Sequence, residues 1–170
     1  MLEQEVVSLF EQLRTPVLRY LLSLRVPVHE AEEIVQEVFL ALFEHLRRGR
    51  SRANLQGWIF KVAHNLALKH LSRTRRQSSD APPAQPDTAP GPEERFADLQ
   101  RQDLLLAVVK ALPELDQWCL SLRAEGLRYR EIAEVLGISL GAVANSLEKS
   151  LARLTRAEES RFYRKKRSYA

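Results

Sequence analysis

The stretch Ala31-Glu32-Glu33-Ile34-Val35-Gln36-Glu37-Val38-Phe39-Leu40-Ala41-Leu42-Phe43-Glu44-His45-Leu46 sets the fold class. Its apolar residues Ala31, Ile34, Val35, Val38, Phe39, Leu42, Phe43 and Leu46 recur three and four apart, the period of one face of an α-helix. That face is wide, more than one partner helix would need. The acids Glu30, Glu32 and Glu33 suit a first helical turn, where the unsatisfied N–H groups favour negative charge.

The same period extends outward in both directions. Upstream, Val6, Phe10, Leu13 and Val17, then Leu21 and Leu24, form a stripe, with Pro16 placed at a first turn after Thr15. Downstream, a third helix is expected to start at Asn54 as N-cap, with Leu55, Trp58, Ile59, Val62, Leu66 and His70 turned inward. Further on, Leu99 to Leu112 reads as a helix. Pro113 opens another through Leu115, Trp118, Cys119 and Leu122, with Gly126 ending it. Two helices follow, Tyr129 to Leu136 and Leu140 to about Thr155, broken by Gly137. No alternating strand pattern occurs, and the expected fold class is all-α, with two small helical domains.

Composition agrees with a folded chain: of 170 residues, 45% are apolar and 28% charged. No apolar run exceeds the length of Leu104 to Val109, far short of the roughly 20 residues of a membrane span. Glu3 and Glu5 stand where a secretory signal would be basic. These features predict a cytoplasmic protein without membrane insertion. The single cysteine, Cys119, can make no internal disulfide and is expected in the core.

Charge is strongly segregated. Residues 1–46 hold eight acids against three bases, whereas residues 47–76 hold nine Lys or Arg and no acid. The last 32 residues reach a net +5 and include Arg164, Lys165, Lys166 and Arg167. Two separated basic surfaces point to a polyanion held at two places, nucleic acid before membrane. Between them, five of the eight prolines fall from Pro82 to Pro92, with no apolar residue larger than alanine. Residues 77–95 therefore read as a linker, spanning about 25 Å as a coil and about 60 Å if fully extended as polyproline. The expected division is a helical domain over 1–76, the linker over 77–95, a second helical domain over 96–157 and a basic tail over 158–170.

Tyr129 to Leu154 has the spacing of a helix-turn-helix. Ala133 is small where two helices cross, Gly137 can adopt the left-handed turn conformation, and Ile132, Leu136, Ile138, Val143 and Leu147 supply the apolar wedge. The outer face of the second helix is left for a DNA groove. In the first domain Lys61, His64, Asn65 and Lys69 follow i, i+3, i+4 and i+8, and continue into Arg73, Arg75 and Arg76. Cations on such a face bind phosphate, an Asn amide can read a base edge, and Trp58 or Phe60 could stack on an unpaired base. A plain solvated face, with Trp58 in the core, is the competing reading. His29, His45, His64 and His70 lack metal-ligand spacing, and no phosphate loop, nucleophile elbow or apolar-set carboxylate pair is present. No metal, cofactor or enzymatic activity is expected.

The run Ala31 to Leu40, followed by Leu55-Gln56-Gly57-Trp58-Ile59-Phe60-Lys61-Val62-Ala63-His64-Asn65-Leu66-Ala67, resembles region two of the extracytoplasmic-function (ECF) sigma factors of bacterial RNA polymerase. The helix-turn-helix after Leu112-Pro113 resembles their region four. The resemblance implies that Glu33, Gln36, Glu37 and Leu40 dock on the clamp helices of the polymerase largest subunit, with Glu33 where the family usually has aspartate. It implies that Trp58, Lys61, His64, Asn65, Lys69, Arg73, Arg75 and Arg76 hold the opened minus-ten element. It further implies that Arg128, Ser139, Asn145, Ser146, Lys149 and Arg153 meet the minus-thirty-five element, and that an anti-sigma factor is a partner.

The second motif departs from the family pattern. Ala144, Ser146 and Leu151 occupy positions where the family commonly has cations, and each lost phosphate contact flattens the salt dependence of binding by about 0.9 in log–log slope. The implied function is promoter-specific initiation with core polymerase. The alternatives from the residues are a sigma-like adaptor or a conventional helix-turn-helix regulator with weakened promoter recognition.

Overall fold

The computed structural model describes residues 1–77 and 96–168, with backbone only for 96–99. Every element among the described residues is an α-helix: α1 (Leu2–Ser23), α2 (Val28–Arg47), α3 (Leu55–Gln77), α4 (Phe96–Ala111), α5 (Glu114–Ala124), α6 (Tyr129–Leu136) and α7 (Leu140–Ser168). None is long and apolar enough to cross a membrane. The linker expected at 77–95 lies, from residue 78 on, outside the described residues. By contact the chain forms two compact units, one from residues 1–80 and 121–140, the other from 81–120 and 141–170.

In the first unit α1, α2 and α3 pack on one another, and α6 packs on α3. The face that the periodicity assigns to α2 is buried at Ala31, Ile34, Val35, Val38, Phe39, Leu42 and Leu46. Phe10 of α1 meets Phe39 edge to face, with centroids 5.0 Å apart. Pro16 begins no helix, because α1 runs unbroken through it. Asn54 caps α3 as expected, its Oδ1 accepting the Gly57 N–H at 3.1 Å.

The inward face of α3 differs from the expected one. Ile59 is buried as predicted, but the rest of the buried set is Gly57, Phe60, Ala63, His64 and Ala67, while Leu55, Trp58, Val62, Leu66 and His70 are only partly covered. Small residues on this face let neighbouring helices approach closely, whereas the larger ones lie towards its flanks. Arg19 of α1 makes two 2.7 Å hydrogen bonds to the Glu125 carboxylate, whose side chain is only 8% exposed. These bonds and the charge of Glu125 raise the Arg19 pKa above its ordinary value. At Gly126 (φ +89°) and Gly137 (φ +66°) the chain takes the left-handed conformation that glycine adopts without strain, ending α5 and α6.

In the second unit the buried apolar residues include Leu112, Cys119, Val143 and Leu147. Gln117 of α5 donates to the Leu112 carbonyl at 2.8 Å, closing the corner opened by Pro113. Helix α7 continues past its expected end near Thr155 as far as Ser168, so residues 158–168 of the expected basic tail are helical.

Candidate nucleic-acid interface

The acid-free block from 47 to 76 separates into two parts. Arg47 and Arg48 both bond the Glu44 carboxylate, at 3.0 and 2.7 Å, and hold its pKa below the usual carboxylate range. Arg52 pairs with Glu5 of α1. The first group of cations thus fastens the α2–α3 connection to the acidic helices. The second group does not: Lys61, Asn65, Lys69, Arg73, Arg75 and Arg76 are all exposed on α3. Lys61, Asn65, Lys69, Arg73 and Arg76 follow one another at intervals of four and three. They form a row about 22 Å long at 1.5 Å per residue.

His64 is not part of that row. It is 3% exposed and shares a 2.7 Å hydrogen bond with the Tyr20 hydroxyl, so it cannot reach a nucleic acid. Burial lowers its pKa to about 4, leaving a neutral imidazole at physiological pH. Phe60 is fully buried and cannot stack on a base. Trp58 is half-buried, its ring 4.4 Å from that of His45, whose Nε2 is bonded to the Ser51 carbonyl at 2.9 Å.

On α2, Glu33, Gln36 and Glu37 are exposed, and Leu40 is 72% exposed at the end of their row. His29 lies 3.2 Å from Glu33 and forms an ion pair with it when protonated. Between α2 and α3 lies an open depression that brings Glu30, Glu33 and Glu37 opposite Lys69, His70 and Arg73. Acidic and basic surfaces are therefore adjacent in this unit, a juxtaposition that charge blocks in a sequence do not disclose.

In α6 the C-cap Gly137 and the following Ile138 both direct their N–H groups at the Ala133 carbonyl, the latter at 3.1 Å. The Glu131 carboxylate accepts the Arg128 N–H at 2.9 Å, fixing the start of the helix. Arg128, Ser139, Asn145, Lys149 and Arg153 are exposed. Ser146 is not: it is 4% exposed and donates to Asp116 of α5 at 2.5 Å, so it is a packing residue and cannot touch a base. Ser150, one turn on, is buried and donates to the Ser146 carbonyl at 2.8 Å. Neither role shows in the sequence, since a serine on a helix flank carries no mark of its partner. No group of acidic, His or Cys side chains that could hold a metal occurs among the described residues.

Residues 9–77 match the family model for Sigma-70 region 2, and residues 102–154 match that for Sigma-70 region 4. The ECF RNA polymerase sigma factor ShbA of Streptomyces griseus is 31% identical over 135 residues, covering 74% of this chain and 70% of ShbA. The chain belongs to the ECF sigma factors of the sigma-70 family. The family is not enzymatic. SigE of Mycolicibacterium smegmatis is 29% identical over 131 residues, 74% of this chain but 51% of SigE, so this sigma factor spans about half the length of that relative. Its fold is that of RpoE in the co-crystal structure with the anti-sigma factor NepR from Bartonella quintana. The TM-score is 0.63 at 20% identity, covering 92% of this chain and 96% of that one.

Proposed function

We propose that this sigma factor binds core RNA polymerase in the cytoplasm and directs promoter-specific initiation, with residues 1–76 serving the minus-ten element and residues 96–157 the minus-thirty-five element. Its α2 surface of Glu33, Gln36, Glu37 and Leu40 docks on the clamp helices of the largest subunit. A leucine left this exposed in mid-helix, with acids one turn away, suits a partner with an apolar notch in a basic rim. The α3 row of Lys61, Asn65, Lys69, Arg73 and Arg76, with Arg75 beside it and the rim of Trp58, holds the separated strands of the minus-ten element. Opening needs no catalytic group, because better contacts to unpaired than to paired bases shift the duplex equilibrium by themselves.

Arg128, Ser139, Asn145, Lys149 and Arg153 meet the minus-thirty-five duplex. A structural relative captured with an anti-sigma factor supports such a partner here too. The observation that carries the reading is the exposed α3 row beside the exposed α2 face, in a chain with both sigma regions in order.

Run-off transcription from a promoter library, with purified core polymerase and with or without the protein, tests it. Promoter-selective transcripts that depend on the protein are expected. Polymerase binding without selective transcripts would replace this reading with a sigma-like adaptor, and duplex binding without polymerase binding with a conventional regulator.

A further inference from the structure

Helix α7 runs to Ser168, whereas the region 4 match ends at residue 154. At 100° per residue, Lys149, Arg153, Arg156, Tyr163, Arg164 and Arg167 fall within an arc of about 100° of the helix circumference. All six are exposed, and Asn145 and Ser160 lie in the same arc. The acids of the helix lie elsewhere: Glu148 and Glu159 are on one flank, and Glu158 is paired with Arg101 of α4. Leu154, Ala157 and Arg161, at intervals of three and four, mark the partly covered side that adjoins the stripe. A single cationic face thus runs from the helix that follows the Gly137 turn into the extension, about 27 Å from Lys149 to Arg167 at 1.5 Å per residue.

The first turns of α7 are poor in charge where a duplex would be read. Ala144 and Leu151 carry none, and Ser146 is turned inward to Asp116. A straight helix cannot follow a curving groove for its whole length, so cations about two to five turns beyond Lys149 are placed to reach the phosphate backbone at the groove edge. We infer that the C-terminal half of α7 is a sequence-independent clamp on the phosphates of duplex DNA, formed by Arg156, Arg164 and Arg167 with Tyr163, and that it offsets the cation-poor start of the helix. The inference rests on the proposed reading that the second module meets promoter duplex. The occupant is double-stranded DNA because the face is uniformly cationic over several phosphate spacings and bears one amphipathic aromatic rather than an apolar stripe.

The test compares two double variants of the full chain that remove equal charge. Arg164→Ala/Arg167→Ala lies on the stripe, and Lys165→Ala/Lys166→Ala lies off it. Alanine favours helix and all four side chains are exposed, so both variants keep the fold, as circular dichroism would verify. Fluorescence anisotropy with a duplex of arbitrary sequence, about 30 bp, is followed between about 50 and 200 mM salt. The on-stripe pair should flatten the log–log salt slope by about 1.8 and weaken binding several-fold, and the off-stripe pair should change the slope by well under one unit. Equal changes for the two pairs, or no duplex binding by the parent at the lowest salt, would overturn the clamp. Core polymerase binding measured on the same proteins is expected to be unchanged. Its absence in the parent would refute the sigma reading, while the duplex slopes would still decide the clamp.

Discussion

The Tyr20 hydroxyl and His64 Nδ1 share a 2.7 Å hydrogen bond between α1 and α3, with both side chains almost wholly withdrawn from water. The low-dielectric interior disfavours the charged imidazolium, and this burial lowers the His64 pKa from 6.5 to about 4. Unfolded, the same histidine takes up a proton near its ordinary value. Between about pH 6.5 and 4 the unfolded chain therefore binds more protons than the folded one, and stability falls as pH falls, by on the order of 1 kcal/mol per pH unit from this group. Urea denaturation followed at several pH values should show that slope in the parent. It should be reduced in Tyr20→Phe/His64→Leu, which removes both polar partners together and so leaves neither buried and unpaired. An undiminished slope in the double variant would assign the acid sensitivity to other groups.

The proposed function makes the two cationic rows unequal in transcription. Replacing Lys61, Lys69 and Arg73 with alanine should lower run-off product at least tenfold, since the proposed function sets these residues against unpaired promoter strands. Replacing Lys149 and Arg153 should cost only a few-fold. Run-off yield on one cognate promoter measures both, and equal or reversed losses would place the dominant DNA contact on α7.

Leu40 supplies a test of the polymerase surface. Its side chain is 72% exposed, so Leu40→Ser should leave the melting temperature within about 1 °C of the parent, because almost no apolar area is uncovered. Affinity for core polymerase should drop by about tenfold, as expected when a central apolar anchor is truncated. Unchanged affinity would move the docking surface off this face of α2.

Ser146 and Asn145 are neighbours with opposite expected phenotypes. Ser146→Ala removes the hydrogen bond to Asp116 and should cost about 1 kcal/mol of stability while leaving promoter preference intact. Asn145→Ala, on the exposed face, should cost little stability and relax discrimination in the minus-thirty-five element. Chemical denaturation together with competition binding on single-base variants of the duplex separates the two effects.

Much of the architecture can be read from the residues, and the exceptions share a cause. Helix α2 packs one well-defined face, so its three-four periodicity names nearly every buried residue in advance. Helix α3 is contacted by α1, α2 and α6, and apolar residues consequently lie around much of its circumference. Periodicity then cannot choose among the faces, and small Ala63 and Ala67 rather than Trp58 and Leu66 turn out to be innermost. His64 follows Lys61 by one helical turn and looks like its companion. Only Tyr20, 44 residues away, makes it a core residue. The exposed cations of α3 were legible as a block without acids, but the share of that block engaged by Glu5 and Glu44 was not. Serine 146 similarly differs from a DNA-facing residue only through Asp116, 30 residues earlier in the chain.

Cys119 is fully buried, and burial pushes its thiol pKa up, only partly countered by a hydrogen bond with Ser146. At neutral pH it stays protonated and shielded, the condition in which a thiol reacts slowly with peroxide or disulfides. It is also the one sulfhydryl in these 170 residues. An oxidative signal therefore finds no reactive thiol in these 170 residues. Any response to such stress that works by cysteine chemistry has to originate outside these residues and reach them as a change in what is bound.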